Sequence, residues 1–166
     1  MLNYIYQKRM PILLWSIFTI FFAFQFILRL SVGILMDDIM QKFAIDTLKF
    51  GSLAGIYYFG YSGMQIPFGV MLDKFNFRYV TIFAILICVI GNATFILADN
   101  WHYALVGRFL IGAGSAAGFL SVVKIVKLFF EEKHQSFMIG FSFTFGLMGG
   151  VFGSTPMKIL MDSFGY

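Results

Sequence analysis

The side chains in this sequence most able to do chemistry are two arginines placed within long apolar runs. Arg29 is flanked by Leu28 and Leu30, and Arg108 lies about six residues inside a later run. A guanidinium is planar and charged, and it can hold a carboxylate or phosphate through two parallel hydrogen bonds. An arginine surrounded by hydrocarbon costs at least about 2.5–3.5 kcal/mol, so each must face protein or water. The two arginines therefore indicate a candidate binding site for an anionic group.

Other polar residues share helical faces in a way that could complete this site. Gln25 lies one turn before Arg29 on the same face, because residues four apart are neighbours on a helix. In the second apolar run, Tyr58, Tyr61 and Gln65 share one face through their i, i+3, i+7 spacing. The predicted substrate-binding residues are therefore Arg29, Gln25, Arg108, Tyr58, Tyr61 and Gln65.

Two of these assignments have an alternative. Arg29 could instead extend to nearby lipid headgroups, or pair with Asp37 or Asp38, which follow it in the chain. The tyrosine stripe could serve only hydrogen bonding between helices, which in membranes is worth about 0.6 kcal/mol on average. Both alternatives stay open on the sequence alone.

Enzyme, metal and cofactor chemistry lack the residue groupings that they need. His102 and His134 are isolated from each other, and Cys88 has no neighbouring His or Cys. A metal site or an activated nucleophile would require such partners. The glycines are spread along apolar runs instead of forming a phosphate-binding loop after a strand. We therefore expect no enzyme, no metal site and no cofactor.

The composition indicates a protein whose surface mostly faces lipid. The chain of 166 residues is 60% hydrophobic and 12% charged, with 23 Phe. A soluble domain is about 45–50% apolar and about 25% charged. The formal net charge is +4, but the basic residues are scattered between apolar runs. The lipid bilayer is therefore the expected partner, and nucleic acid is not.

Five apolar runs are long enough to cross a bilayer. Each can span about 30 Å of hydrocarbon as a helix that rises about 1.5 Å per residue. Helix is required because unpaired backbone groups are too costly in lipid. The sequence therefore predicts an all-α, multi-pass transmembrane helical bundle with spans at about 11–36, 51–72, 79–98, 102–126 and 136–160.

The distribution of basic residues predicts how the spans are oriented. With a cytoplasmic N-terminus, seven basic residues lie inside: Lys8, Arg9, Lys74, Arg78, Lys124, Lys127 and Lys133. Three lie outside: Lys42, Lys49 and Lys158. Because Lys and Arg are enriched in cytoplasmic loops, we expect the N-terminus inside and the residue-166 end outside. The expected location is a plasma membrane, of the bacterial inner-membrane type.

The loop after the second run carries a recognisable motif. Gly69 is followed at fixed spacing by Asp73, Lys74 and Arg78. This resembles the motif between helices 2 and 3 of the major facilitator superfamily, which suggests that Gly69 permits close helix packing and that Asp73 pairs with a base or a helix N-terminus. Asn76 stands where the family usually has Gly, and Asn tolerates a left-handed turn better than other residues.

Two later runs add to the resemblance. Arg108, Gly112 and Gly114 are similar to the family's helix-4 pattern of Arg, three residues, Gly, one residue, Gly. The Gly-rich fifth run, which includes Pro156, resembles helix 5 of many members. The resemblance assigns family-motif and gating roles to Gly69, Asp73, Lys74, Arg78, Gly112, Gly114 and Pro156.

The resemblance implies a partial fold and a class of function. Such transporters have two six-helix halves, each built from inverted three-helix repeats. The five predicted spans correspond to the N-terminal part of the first half, so the missing C-terminal helices of the same transporter are expected partners. Members that carry organic anions and organophosphates often use an arginine in helix 1, an arrangement that Arg29 resembles. By the same resemblance, Arg108 could instead assist proton coupling or hold its helix to its neighbours.

The resemblance, together with the two arginines, therefore implies a secondary active transporter of a small, anionic solute that works by alternating access. A coupling proton or a counter-ion would accompany the solute. The alternative is a non-transporting membrane fragment of a split or truncated transporter gene, because alternating access needs two halves around a central site. A small membrane scaffold is a third interpretation, but it leaves the motif from Gly69 to Arg78 unexplained.

Overall fold

The computed structural model is a bundle of helices. It describes the backbone of residues 2–164 and the side chains of residues 10–152, and these residues contain no strand. The all-α prediction is confirmed. The helices are α1 (Leu2–Ile34), α2 (Met36–Phe43), α3 (Thr47–Lys74), α4 (Phe77–Ile96), α5 (Trp101–Phe129) and α6 (Glu132–Phe164).

The five long helices, α1 and α3 to α6, correspond to the five apolar runs, although α1 ends at Ile34 and α4 at Ile96, each two residues before the predicted end of its run. Within the described residues, four segments are both long and apolar enough to cross a membrane: Met10–Ile34, Phe77–Ile96, Trp101–Phe129 and Glu132–Phe152. Helix α3 is also long enough, at about 42 Å for its 28 residues. Its tyrosines, glycines and Gln65 make it less apolar than the others. Helix α3 is therefore not among the four segments, and its role as the second span stays a prediction.

Side-chain caps explain where several helices begin, and one of them corrects the role expected for Asn76. Asn76 has extended backbone angles (φ −64°, ψ 120°), and its side chain accepts a hydrogen bond from the backbone N–H of Arg78, so it is the N-cap of α4. The left-handed turn expected at Asn76 is wrong. Asn is among the best N-capping residues, and such a cap is worth about 1 kcal/mol.

Among the described non-glycine residues, Ala44 at the end of α2 is the one with positive φ (49°).

The short helix α2 was not expected from the sequence. The first apolar run was predicted to continue to residue 36, but α1 ends at Ile34 and the chain turns into α2. Its buried Ile39 belongs to an apolar cluster with Phe50 and Leu53 of α3. The Nζ of Lys42 donates a hydrogen bond of 3.3 Å to the carbonyl of Ile96 at the end of α4. Helix α2 therefore closes one end of the bundle over the helices that carry the two arginines.

Helix α5 is the central element, and its glycines allow close packing. It packs against α1, α3 and α4. A methyl group at Gly112 would collide with the carbonyl oxygen of Tyr57, and one at Gly114 would lie 2.5 Å from the carbonyl oxygen of Ala84. The two motif glycines thus bring the α5 backbone against α3 on one side and α4 on the other. The close approach expected at Gly69 is not made within the described residues, where a methyl group there would meet nothing within 4 Å.

Candidate functional site

The two arginines meet at one buried tyrosine. Tyr57 of α3 is fully buried. The guanidinium carbon of Arg108, from α5, lies 4.8 Å from the centre of its ring, and that of Arg29, from α1, lies 5.4 Å from it. The Nε of Arg29 also donates a hydrogen bond of 3.3 Å to the Tyr57 hydroxyl. Three helices therefore converge at Tyr57, and a cation placed on an aromatic ring gains about 2 kcal/mol when the pair is desolvated.

Arg108 is almost completely enclosed and only partly satisfied. It is 2% exposed, and its Nη1 donates a hydrogen bond of 3.2 Å to the carbonyl of Leu28 on α1. Its Nε has no hydrogen-bond acceptor among the residues whose side chains are described. A buried donor left without a partner costs about 1–3 kcal/mol, and more when the group is charged. The bond to Leu28 ties α5 to α1 one residue from Arg29.

Neither arginine forms an ion pair within the part of the chain whose side chains are described. The ion pairs there are Lys124–Asp73 and Lys133–Glu131. The pairing of Arg29 with Asp37 or Asp38, left open by the sequence, is therefore not formed. Both cations contact the same tyrosine, whereas a carboxylate could accept charge-assisted hydrogen bonds from them.

Of the predicted tyrosines, the structure brings two to Arg29. Its guanidinium carbon lies 4.8 Å from the centre of the Tyr61 ring and 5.8 Å from that of Tyr58, and Phe26 also lies 4.8 Å away. Tyr58 is half exposed and Tyr61 is partly buried. Gln65, two turns beyond Tyr58, is exposed and has no described contact with either arginine.

Gln25 lies one turn before Arg29 and is buried against α5. It is 2% exposed, and within residues 10–152 its Nε2 finds no hydrogen-bond acceptor. Its carboxamide lies beside Gly118. Together with the Nε of Arg108, the described residues thus contain two buried donors without partners, and both lie on the α1–α5 interface.

Tyr57 was missed as a site residue by the sequence. The stripe was assigned to Tyr58, Tyr61 and Gln65 because their spacing forms one polar face. A different pattern identifies Tyr57. It lies with Leu53 and Gly60 on one face of α3, at helical spacing, and all three residues are buried. A tyrosine on the packed face of a polar span would have been the better candidate.

Asp73, the acidic residue of the motif, forms an ion pair at the C-terminal end of α3, which is the end away from α2. Asp73 accepts a hydrogen bond of 2.9 Å at Oδ1 from the Nζ of Lys124 on α5. This hydrogen bond and the charge of Lys124, with a smaller attraction from Lys127, hold the pKa of the Asp73 carboxyl below its usual value. Lys124 was expected to act only as a topology signal. It is an ion-pair partner of the motif instead.

The remaining motif residues are peripheral or fall outside the described side chains. Lys74 is exposed in the last turn of α3, and Arg78 is exposed in the first turn of α4, 5.9 Å from the Phe77 ring. Pro156 lies on α6 outside the residues whose side chains are described. The same holds for Lys8, Arg9 and Lys158, which contribute to the predicted orientation.

Comparison with known proteins identifies the family. A sequence model of the Major Facilitator Superfamily matches residues 13–166. The L-fucose-proton symporter of Escherichia coli (strain K12) is 26% identical over 121 residues, which cover 71% of this chain and 28% of the symporter. A putative tartrate transporter of Agrobacterium vitis is 24% identical over 144 residues, covering 85% of this chain and 33% of that protein.

A third relative has the same pattern of coverage. The probable sulfoacetate transporter of Cupriavidus necator is 24% identical over 133 residues, covering 80% of this chain and 30% of that protein. No solved structure matches the chain significantly. The chain therefore spans about three tenths of the length of these curated relatives. With a family match over nearly its whole length, the chain belongs to the Major Facilitator Superfamily of membrane transporters.

Proposed function

We propose that this chain is the N-terminal part of a secondary active transporter that moves a small organic anion by alternating access. The observation that carries the proposal is that two arginines contact Tyr57. Neither arginine has a carboxylate partner among the described residues. A bound carboxylate would supply the missing negative charge. It would also offer acceptors to the unpartnered Nε of Arg108 and Nε2 of Gln25.

The balance of charge favours an anion over a neutral solute. A neutral solute could hydrogen bond to Gln25 and to the tyrosines, but it would leave both guanidinium charges uncompensated in an apolar setting. Two relatives are named for tartrate and sulfoacetate, which are organic anions. The relative named for L-fucose supports the competing candidate, a neutral sugar moved together with a proton.

The alternative that the chain is a non-transporting membrane fragment predicts a different result. The curated relatives are about three times as long as the matched segment, and alternating access requires two halves. A non-transporting fragment could retain or lose binding of the anion, but in either case it would not carry the anion across the membrane. Uptake by proteoliposomes that contain the product of the complete reading frame separates the two possibilities.

The test of the substrate class compares tartrate, sulfoacetate and L-fucose as probes. The complete polypeptide is reconstituted in nanodiscs, and the affinity for each probe is measured for the wild type, Arg29→Gln and the control Lys49→Gln, which removes an exposed positive charge outside the motif and the site. We expect the wild type and Lys49→Gln to prefer the anions. Arg29→Gln should lose about tenfold or more in anion affinity, the equivalent of about 1.4 kcal/mol. Preference of the wild type for L-fucose over both anions would refute the proposal.

A further inference from the structure

A glycine of α5 provides the space that the Gln25 side chain occupies. A methyl group built at Gly118 would collide with Oε1 of Gln25, and would lie 2.7 Å from its Cδ and 2.9 Å from its Nε2. These three atoms are the nearest neighbours of that position, and all belong to the end of one side chain. Gly118 therefore lies directly against the carboxamide.

This contact differs from those of the other glycines on α5. At Gly112 and Gly114 the nearest atom is a backbone carbonyl oxygen of a neighbouring helix. Those glycines let two helix backbones approach, so a methyl group there would force the helices apart. At Gly118 the obstacle is a side chain that can rotate away. A methyl group at Gly118 should therefore move Gln25 and leave the bundle assembled.

The amide donor of the carboxamide held at Gly118 makes no hydrogen bond among the described residues. Gln25 is 2% exposed and its Nε2 has no acceptor among the described residues. A buried amide is normally hydrogen bonded, so this enclosed donor has the capacity to bind an acceptor that the described residues do not supply. Gln25 lies on the same face of α1 as Arg29, one turn away, and three residues from Leu28, whose carbonyl accepts the hydrogen bond of Arg108.

We propose that Gly118 is a positioning residue of the anion site. Its missing side chain forms the recess that keeps the Gln25 carboxamide folded against α5, with Nε2 directed to an oxygen of the bound anion. This inference rests on the function proposed above, and it adds a residue that touches neither the solute nor the arginines. The ligand class is a small carboxylate whose oxygens are shared between the guanidinium groups and one neutral amide donor.

The test is a double-substitution cycle in the complete polypeptide, reconstituted in nanodiscs, with tartrate as the probe. The variants are Gly118→Ala, Gln25→Ala and the double variant. The control is Gly140→Ala on α6, where a methyl group would meet nothing within 4 Å. We expect Gly118→Ala and Gln25→Ala each to weaken tartrate binding about tenfold, and Gly140→Ala to have no effect. The double variant should bind no more weakly than Gln25→Ala, because no carboxamide remains to be displaced.

Each other outcome has a defined meaning. Additive losses in the double variant, or wild-type affinity in Gly118→Ala, would overturn the positioning role. If Gly118→Ala fails to fold, folding of the double variant is compared with it. A double variant that folds supports the role of Gly118 as the recess for the Gln25 carboxamide. A double variant that also misfolds shows that Gly118 serves only backbone packing. Unchanged binding in Gln25→Ala overturns the inference whatever the other variants do. Failure of the proposed function is recognised separately, because the wild type itself would then not bind tartrate.

Discussion

The Nζ of Lys124 on α5 lies 2.9 Å from Oδ1 of Asp73 at the end of α3, so one ion pair joins the helix that carries Arg108 to the helix that carries Tyr57. The side chain of Asp73 is 77% exposed and that of Lys124 is 28% exposed. Exposed pairs contribute little to stability, because water and salt screen them. The pair is therefore better suited to holding the relative position of two helices than to stabilising the fold.

Asp73→Asn should lower the rate of transport and leave solute affinity nearly unchanged. The substitution removes the charge that holds Lys124, and it lies about four turns of α3 from Tyr57. The measurements are initial uptake rate and equilibrium binding in the complete polypeptide. Asp99→Asn, another exposed acid, serves as the control. A large loss of binding at normal expression would show that Asp73 acts on the solute site.

The stabilising effect of the Asp73–Lys124 pair should disappear in acid. The folded-state pKa of Asp73 is lowered by Lys124 from the ordinary value of 3.8, so the contribution is complete above that pH. It is lost as the pH falls below 3.8 towards the lowered value, because the carboxyl becomes protonated. Melting temperatures of the wild type and Asp73→Asn should differ slightly at pH 6, and the difference should shrink as the pH is lowered below 3.8. A difference that grows in acid would contradict this assignment.

Tyr57→Phe should weaken anion binding by about three- to tenfold. It removes the hydroxyl that accepts the Arg29 hydrogen bond, worth about 1 kcal/mol, and keeps the ring that both guanidinium groups contact. Tyr57→Ala should also destabilise the bundle by about 3–5 kcal/mol, because it empties a fully buried site. Binding and thermal unfolding measure the two effects. Tyr103→Phe, at a 61% exposed position, is the matched control and should change neither.

Arg29→Lys should impair anion binding although the positive charge remains. Lys cannot provide the planar pair of donors that grips a carboxylate, nor can it stack on Phe26 and Tyr61 as a guanidinium does. Affinity for tartrate is compared in the wild type, Arg29→Lys and Arg29→Gln at matched expression. Equal affinity of the wild type and the Lys variant would mean that Arg29 acts only as a point charge.

The predicted orientation is testable with enzyme fusions. Alkaline phosphatase should be active when fused after Tyr166 and inactive when fused after Arg78, because it folds only outside the cytoplasm. The expectation follows from the seven basic residues on one side and three on the other. The reverse pattern of activity would show that the orientation is inverted.

The sequence predicted what depends on local pattern and missed what depends on packing between helices. The apolar runs and the spacing from Gly69 to Arg78 identified the family, since both are properties of one segment at a time. Tyr57 was missed because its importance comes from α1 and α5, which meet it from distant parts of the chain. Asn76 was assigned the wrong geometry because Asn suits both a left-handed turn and an N-cap, and only the backbone angles distinguish them.

The contact between Lys124 and Asp73 shows the same limit. Each residue was identified from its own surroundings, one as a motif acid and the other as a cytoplasmic lysine. The two lie 51 positions apart in the chain and meet only because α3 packs along α5. Close packing at Gly60 and Gly112 makes that alignment possible, and neither glycine alone indicates which partner it approaches.

The two guanidinium groups at Tyr57 also determine how the membrane voltage acts on this site. All eight acidic residues of the sequence lie outside the five apolar runs, so those runs hold no fixed negative charge. Moving one elementary charge through the whole membrane potential is worth about 2.3 kcal/mol per 100 mV. A bound monoanion would leave one of the two positive charges uncancelled, whereas a dianion such as tartrate would cancel both. The valence of the solute would therefore decide whether reorientation of the loaded site carries current.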